Sequence, residues 1–216
     1  MKSIDNPIAI VTGAAQGLGK AVGERLVEEG CEVTITDQSE LVLETADEIG
    51  AKAFIGNVGD AEHVRDVVDT VIASHGKIDI LINNAGEVFP TGPHDDWEKT
   101  ILLFDRIFTS NTKGAFLFGR AVAATMMRNK AGNIINVSTD HVKPSPNSAR
   151  HHGHGHMDLY NASKWALNGF TFDWAKSLLE YNIRVNNLCV GATDTEMLRK
   201  WSGENADPNW VKSWMR

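Results

Sequence analysis

Two side chains in this sequence are spaced to move a proton. Tyr160 and Lys164 lie four positions apart in Tyr160-Asn161-Ala162-Ser163-Lys164, and on a helix those positions share one face. An ammonium beside a phenol favours the phenolate and draws its pKa down from about 10. Such a phenol can give a proton to, or take one from, the oxygen of a carbinol–carbonyl couple. Tyr181, the other of the two tyrosines, has Val185 at the same offset and forms no such pair. Taken alone, Tyr-x-x-x-Lys also describes an ordinary exposed helix face, so its meaning depends on its surroundings.

A second group lies near the N-terminus. Thr12-Gly13-Ala14-Ala15-Gln16-Gly17-Leu18-Gly19 joins a β-branched run to a helical one. Glycines at 13, 17 and 19 let the backbone turn tightly and approach a pyrophosphate at the positive end of the helix, with Gln16 and Leu18 in the same cradle. The spacing is GxxxGxG, a variant of the commoner GxGxxG. Asp37 follows 24 positions after Gly13, where a carboxylate can accept hydrogen bonds from an adenosine ribose or cap a helix. Neither residues 38–41 nor Ala14-Ala15-Gln16 contain Lys or Arg. A 2′-phosphate would therefore meet an unpaired negative charge, and NAD is expected rather than NADP.

Short Val/Ile-rich runs at 8–11, 32–36, 52–55, 78–82, 133–137 and 183–189 predict six strands. They are apolar on consecutive positions, as in a parallel sheet covered on both faces. Helical stretches lie between them, such as 18–29 and 61–75, each stopped by a glycine, Gly30 or Gly76. The alternation predicts an α/β fold: a doubly wound parallel sheet in three α/β/α layers with right-handed crossovers. Ligands bind such sheets beyond the carboxyl ends of the strands, where the loops after residues 11, 82, 137 and 189 meet. The Ser-, Pro-, Gly- and His-rich segment 144–156 reads as a long loop over that edge.

The 216 residues read as one domain spanning 1–216, with 42% apolar residues, enough for a core without staples. A net charge of −7 argues against a nucleic-acid surface. No apolar run approaches the ~20 residues of a membrane span, and residues 1–10 lack the centre of a signal peptide. Cys31 and Cys189 are the only cysteines, so neither a disulfide framework nor a cysteine metal site is expected, and a cytoplasmic setting is. Most of the six tryptophans are expected in the core or between helices, the last three also near a substrate mouth.

In order along nearly the whole chain stand residues 12–19, Asp37, Asn83-Asn84-Ala85-Gly86, Asn111 in Ser110-Asn111-Thr112-Lys113-Gly114, Ile135-Asn136-Val137-Ser138-Thr139, residues 160–164 and Val190-Gly191-Ala192-Thr193-Asp194-Thr195. This series resembles the short-chain dehydrogenase/reductase family, in its single-domain Rossmann-fold branch. The resemblance implies hydride transfer between a nicotinamide and a secondary alcohol or ketone. Tyr160 would exchange the hydroxyl proton, Lys164 would hold the nicotinamide ribose and tune Tyr160, and Asn111 would anchor a water. Thr139, in the place of the family's substrate-orienting Ser, keeps the hydroxyl, and Ser138 reads as structural. Asn57 and Val58 would contact the adenine, Asn57 standing where Asp is common. Asn84, Ala85 and Gly86 would support the sheet on the adenosine side, and Thr193 and Thr195 would hydrogen-bond the cofactor. A small-molecule substrate and a homodimer or homotetramer built on flanking helices also follow from the resemblance.

Besides Thr139 and Asn57, the sequence departs from that family in three places. Thr139 and Tyr160 are separated by more residues than usual, which lengthens the loop over the site. Val190 replaces a Pro before Gly191. After the sixth strand only residues 196–216 follow, so a seventh strand is expected beyond Arg216 and the native polypeptide is expected to be longer. Two other functions fit part of the pattern. Thr139-Asp140 resembles the pair used by sugar-nucleotide dehydratases, although His141 stands where their Glu would, and a non-catalytic dinucleotide sensor could use the same fold. His151, His152, His154 and His156, with His141 nearby, read as a solvated loop, a substrate or pH contact, or a metal site, the Gly interruptions arguing against the metal.

Overall fold

A computed structural model of the protein describes residues 6–142 and 157–202. Six strands form one parallel sheet in the order β3-β2-β1-β4-β5-β6: β1 Ile8–Thr12, β2 Glu32–Asp37, β3 Lys52–Ile55, β4 Ile80–Asn83, β5 Gly132–Thr139 and β6 Ile183–Val190. The order reverses between β1 and β4, which opens a crevice at the carboxyl edge. Every residue of β1 is buried, because helices cover both sheet faces. Helices α1 Gly17–Glu28 and α2 Leu41–Ile49 lie on one face, over Val11, Val33 and Ile35. Helices α3 Ala61–His75, α5 Gly114–Asn129 and α6 Asp158–Ser177 lie on the other, over Ile10, Leu81 and Ile134.

Helix α4 Trp97–Phe108 does not stop before α5; it runs through a π turn, Thr109–Lys113. A 3₁₀ turn, Asp140–Val142, follows β5, and a short α7, Glu196–Ser202, follows β6. The predicted strands match within one or two residues. The fourth starts at Ile80 rather than 78, because Asp79 is spent on β1: its N–H donates to Ile8 O at 2.8 Å and its carboxylate accepts from Ile8 N at 2.8 Å. Gly30 and Gly76 carry φ of +84° and +72° just past α1 and α3, as a left-handed exit requires.

Trp97 and Trp165 depart from the expected core placement. Trp97 is 73% exposed, and Trp165 is also exposed, whereas Trp174 stacks on Phe170 at 5.3 Å. The four loop histidines, Trp210, Trp214 and the Trp201 side chain lie outside the described residues. β6 forms the sheet edge, and among the described residues no strand pairs with its outer side. No described helix is long and apolar enough to cross a membrane.

Buried polar links hold α6 in register with the sheet. Asn83 Nδ2 donates to Asn136 Oδ1 at 2.9 Å between laddered positions of β4 and β5, and Asn136 Nδ2 donates to Thr171 Oγ1 of α6 at 2.8 Å. Asn136→Ala leaves Asn83 and Thr171 short of partners inside the core and is expected to cost about 1–3 kcal/mol. The shift of a urea midpoint at unchanged slope measures it.

Candidate active site

At the crevice, the glycine turn is clamped from two sides. Gly13 has φ +65°, and a Cβ there would lie 2.6 Å from Ala85 Cα, so neither conformation nor space admits a side chain. Thr12 Oγ1 accepts from Asn84 N at 3.1 Å and Ala85 N at 3.0 Å, while Asn84 Nδ2 donates to Thr12 O and Gly13 O at 3.0 and 2.8 Å. Asn84 and Ala85 therefore brace the turn, as expected of a sheet support. A Cβ at Gly19 would come within 2.2 Å of Gly13 O, so α1 leaves the turn by a close approach.

The start of α1 leaves its first N–H groups without a side-chain cap. Gln16, at its N-cap, makes no side-chain capping bond, and the first turn holds no acidic residue. By contrast α3 and α4 are capped by Asp60 and Asp96. Uncapped N–H groups at the positive end of a helix suit a pyrophosphate. Thr195 and Glu196 stand over this end, each 3.4 Å from where a Gly17 Cβ would be. Thr195 Oγ1 donates to Thr193 O at 3.3 Å, and Thr193 Oγ1 to Gly191 O at 3.0 Å, which fixes both threonines in the segment after β6.

Asp37 ends β2 beside this turn. Its Oδ2 accepts from Ala15 N at 3.1 Å and its Oδ1 from Ser39 N at 3.0 Å. It does not cap a helix, because α2 begins later, with Glu40 at its cap. The rim beyond carries residues that the sequence reading missed. Gln38 Nε2 reaches Glu87 Oε1 at 3.5 Å, and Arg106 binds both Glu87 oxygens at 2.8 and 2.6 Å. Arg106 comes from α4, far along the chain, and no local pattern marks it; its charge is matched by Glu87. A cavity of about 460 Å³ opens between Gln38, Asn57, Glu87 and Arg106. Asn57 Oδ1 accepts from Gly59 N at 2.8 Å, and Val58 is buried, packed so that Gly114 has no room for a Cβ.

Tyr160 and Lys164 project from α6 beneath the end of β5. Lys164 is 5% exposed, and its Nζ donates to Val137 O at 2.9 Å. Burial pulls its pKa down to about 8. The ammonium lies 5.9 Å from the centre of the Tyr160 ring, whose hydroxyl has Thr139 near enough to favour the phenolate. The expected lowering of the phenol's pKa is not what this environment produces. Burial above all pushes it up to about 12; Thr139 pulls downward, and the Asp140 charge adds to the rise. Removing a phenol from water disfavours its anion by more than the nearby ammonium offsets. Ser138 is buried, its Oγ 3.4 Å from Lys164 O, a structural position.

Asn111 occupies the π turn and is buried. Its Oδ1 accepts from Glu87 N at 2.7 Å and Ser110 Oγ at 2.8 Å, and its Nδ2 donates to Glu87 O at 2.9 Å and Ser163 Oγ at 3.0 Å. The side chain thus ties the π turn to the segment after β4 and to α6, and uses its whole amide doing so. A Cβ at Gly86 would lie 3.1 Å from Asn111 Oδ1 and 3.2 Å from Lys164 Nζ, so these three positions meet. Among the described residues no group of His, Cys, Asp and Glu could hold a metal ion.

Comparison with known proteins agrees with this arrangement. A family model described as short chain dehydrogenase matches residues 7–206. The chain is 32% identical over 222 residues to the 2,3-dihydro-2,3-dihydroxybenzoate dehydrogenase of Bacillus subtilis, covering 98% of this chain and 79% of that protein. Among solved structures, the 3-ketoacyl-(acyl-carrier-protein) reductase of Brucella melitensis complexed with NADH superposes with a TM-score of 0.80 at 28% identity, over 91% of this chain and 79% of that one. An actinorhodin polyketide ketoreductase with NADPH gives 0.83 at 26% identity, over 96% and 78%. With the strand order, the glycine turn and the Tyr160–Lys164 helix in place, the chain belongs to the short-chain dehydrogenase family of nicotinamide-dependent oxidoreductases.

Proposed function

We propose that the protein is an NAD-dependent oxidoreductase that interconverts a secondary alcohol and a ketone. The observation that carries this reading is the convergence of Tyr160, Lys164 and Thr139 at the carboxyl end of β5, beside the uncapped start of α1. A bound nicotinamide supplies the two-electron hydride acceptor or donor. Gly13, Gln16, Gly17, Leu18 and Gly19 hold its pyrophosphate, Asp37 its adenosine ribose, and Asn57 and Val58 line the adenine side. Asn84, Ala85 and Gly86 set the floor, and Thr193 and Thr195 close over it from the segment after β6.

Tyr160 Oη exchanges the proton of the reacting oxygen, donating it to a ketone or taking it from a carbinol. Its raised pKa keeps the phenol protonated at neutral pH, which suits donation. Thr139 Oγ1, beside that hydroxyl, orients the reacting oxygen. Lys164 holds the nicotinamide ribose and presents its charge to the ring. Asn111 is a positioning residue, because its amide fixes the π turn and Ser163 against Lys164.

The preference for NAD rests on Asp37. Among the described residues on its side of the rim none offers an unmatched cation to a 2′-phosphate, since Arg106 is already paired with Glu87. A second copy of the chain is the proposed partner. Trp97, Ile101 and Phe104 lie on one exposed face of α4, and Trp165 and Phe172 on an exposed face of α6, the helix packed beside it. An apolar surface of this kind marks an interface, and self-association would cover it.

Three measurements test this reading. Tyr160→Phe keeps the ring's packing and removes the proton carrier. Turnover is expected to fall about a hundred- to ten-thousand-fold with NADH affinity retained, and near-normal activity would assign the proton to another group. Catalytic efficiency with NAD should exceed that with NADP at least about tenfold, and Asp37→Ala should narrow the gap. By light scattering the protein should be a dimer or tetramer that Phe172→Glu dissociates; a monomer at micromolar concentration would refute the α4–α6 interface.

A further inference from the structure

Asp140 is the one acidic residue whose charge bears on the Tyr160 hydroxyl. It follows Thr139 directly, at the point where β5 leaves the sheet and the 3₁₀ turn begins. Its two oxygens have different surroundings. Oδ1 accepts from Thr139 Oγ1 at 3.3 Å, and His141 Nε2 lies 3.9 Å from it. His141 is itself held by Asn161 Oδ1, 3.1 Å from Nδ1, and its ring stands edge-on to Tyr160 with centroids 6.4 Å apart. Oδ2 points across the crevice toward Gly191 after β6: a Cβ on that glycine would come to 3.5 Å from it. Among the described residues no donor reaches Oδ2, and the side chain is 48% exposed. Oδ2, without a donor among the described residues, therefore belongs to a carboxylate whose other oxygen is 3.3 Å from the hydroxyl assigned to the reacting oxygen.

We propose that Asp140 determines specificity: its Oδ2 accepts a hydrogen bond from a hydroxyl on the carbon next to the reacting one, so that the enzyme takes uncharged vicinal diols and the matching α-hydroxy ketones. This rests on the assignment of Tyr160 and Thr139 above. The oxygens of a vicinal diol are separated by about the length of a hydrogen bond, so a substrate with its reacting oxygen at Thr139 carries its second hydroxyl to the neighbouring carboxylate, whose Oδ1 is 3.3 Å from Thr139 Oγ1. A charged acceptor makes a stronger bond than a neutral one, and an alcohol without the second hydroxyl leaves that acceptor unpaired. The same charge repels substrates carrying a carboxylate or phosphate near the reacting carbon. Gly191 leaves open the space that Oδ2 faces, and a Cβ there would come into van der Waals contact with it at 3.5 Å.

The test compares cyclohexane-1,2-diol, cyclohexanol and 2-aminocyclohexanol with the whole protein and NAD, by kcat/KM and by calorimetric binding to the protein loaded with NADH. The diol is expected to exceed cyclohexanol about ten- to a hundredfold in both readouts, the worth of a hydrogen bond to a charged group. Asp140→Asn should shrink that ratio and Asp140→Ala should bring it near one, with circular dichroism showing that both variants fold. Equal affinity for diol and cyclohexanol, or binding of neither, overturns the proposal. Binding of 2-aminocyclohexanol well above the diol also overturns it, because the carboxylate would then be reading a cation. If the diol binds selectively but no alcohol is oxidised, the Asp140 inference stands and the Tyr160 reading fails.

Discussion

Lys164 carries an ammonium into the interior with the Val137 carbonyl as its acceptor, and the rest of the site is arranged around keeping it there. Burying a charge this way costs stability unless several neighbours are fixed at once. The end of β5 must present its carbonyl to α6, which the Asn83–Asn136–Thr171 chain secures. The helix must not rotate, which Ser138 and the Asn111–Ser163 bond secure. The same burial inverts the usual order of the two groups, leaving the phenol near 12 and the ammonium near 8. The phenol thereby keeps its proton to higher pH, and the ammonium is the group that loses its proton more easily.

The glycine turn forms the second half of the site by a different means. It has little side-chain chemistry of its own and is shaped by close contacts: Asn84 donates two hydrogen bonds to Thr12 while Gly13 and Gly19 permit the close approach. Proximity to β4 joins the two halves, since the segment after it touches Gly13 through Ala85 and Lys164 through Gly86. A shift of that segment would move the glycine turn and the Tyr160–Lys164 pair together.

Much of this was legible in the sequence because it is local. Strand runs, glycine exits and the four-residue spacing of Tyr160 and Lys164 are set by neighbours along the chain, and the fold follows from their alternation. Tertiary features were not legible. The burial that raises the Tyr160 pKa depends on how deeply α6 docks, and the Arg106–Glu87–Gln38 rim joins three distant segments. Asp37 could be read as a helix cap because residues of its type favour caps, but α2 starts too late for that. Trp97 and Trp165 were misplaced because hydrophobicity predicts burial without saying whether the burying surface belongs to the same molecule.

The π turn also changes the phase of the helices it joins. One additional residue within Thr109–Lys113 offsets α4 from α5 by roughly 100° about their shared axis, relative to an unbroken α-helix. The exposed side of α4 and the core-facing side of α5 are therefore set independently, although the chain runs straight from one to the other. Deleting a single residue there would restore regular winding, withdraw Asn111 from Glu87 and swing Trp97 and Phe104 away from the α6 face in one step. The segment should tolerate substitution far better than a change in length, so among variants of this chain the number of residues between Phe108 and Gly114 should be more constant than their identities.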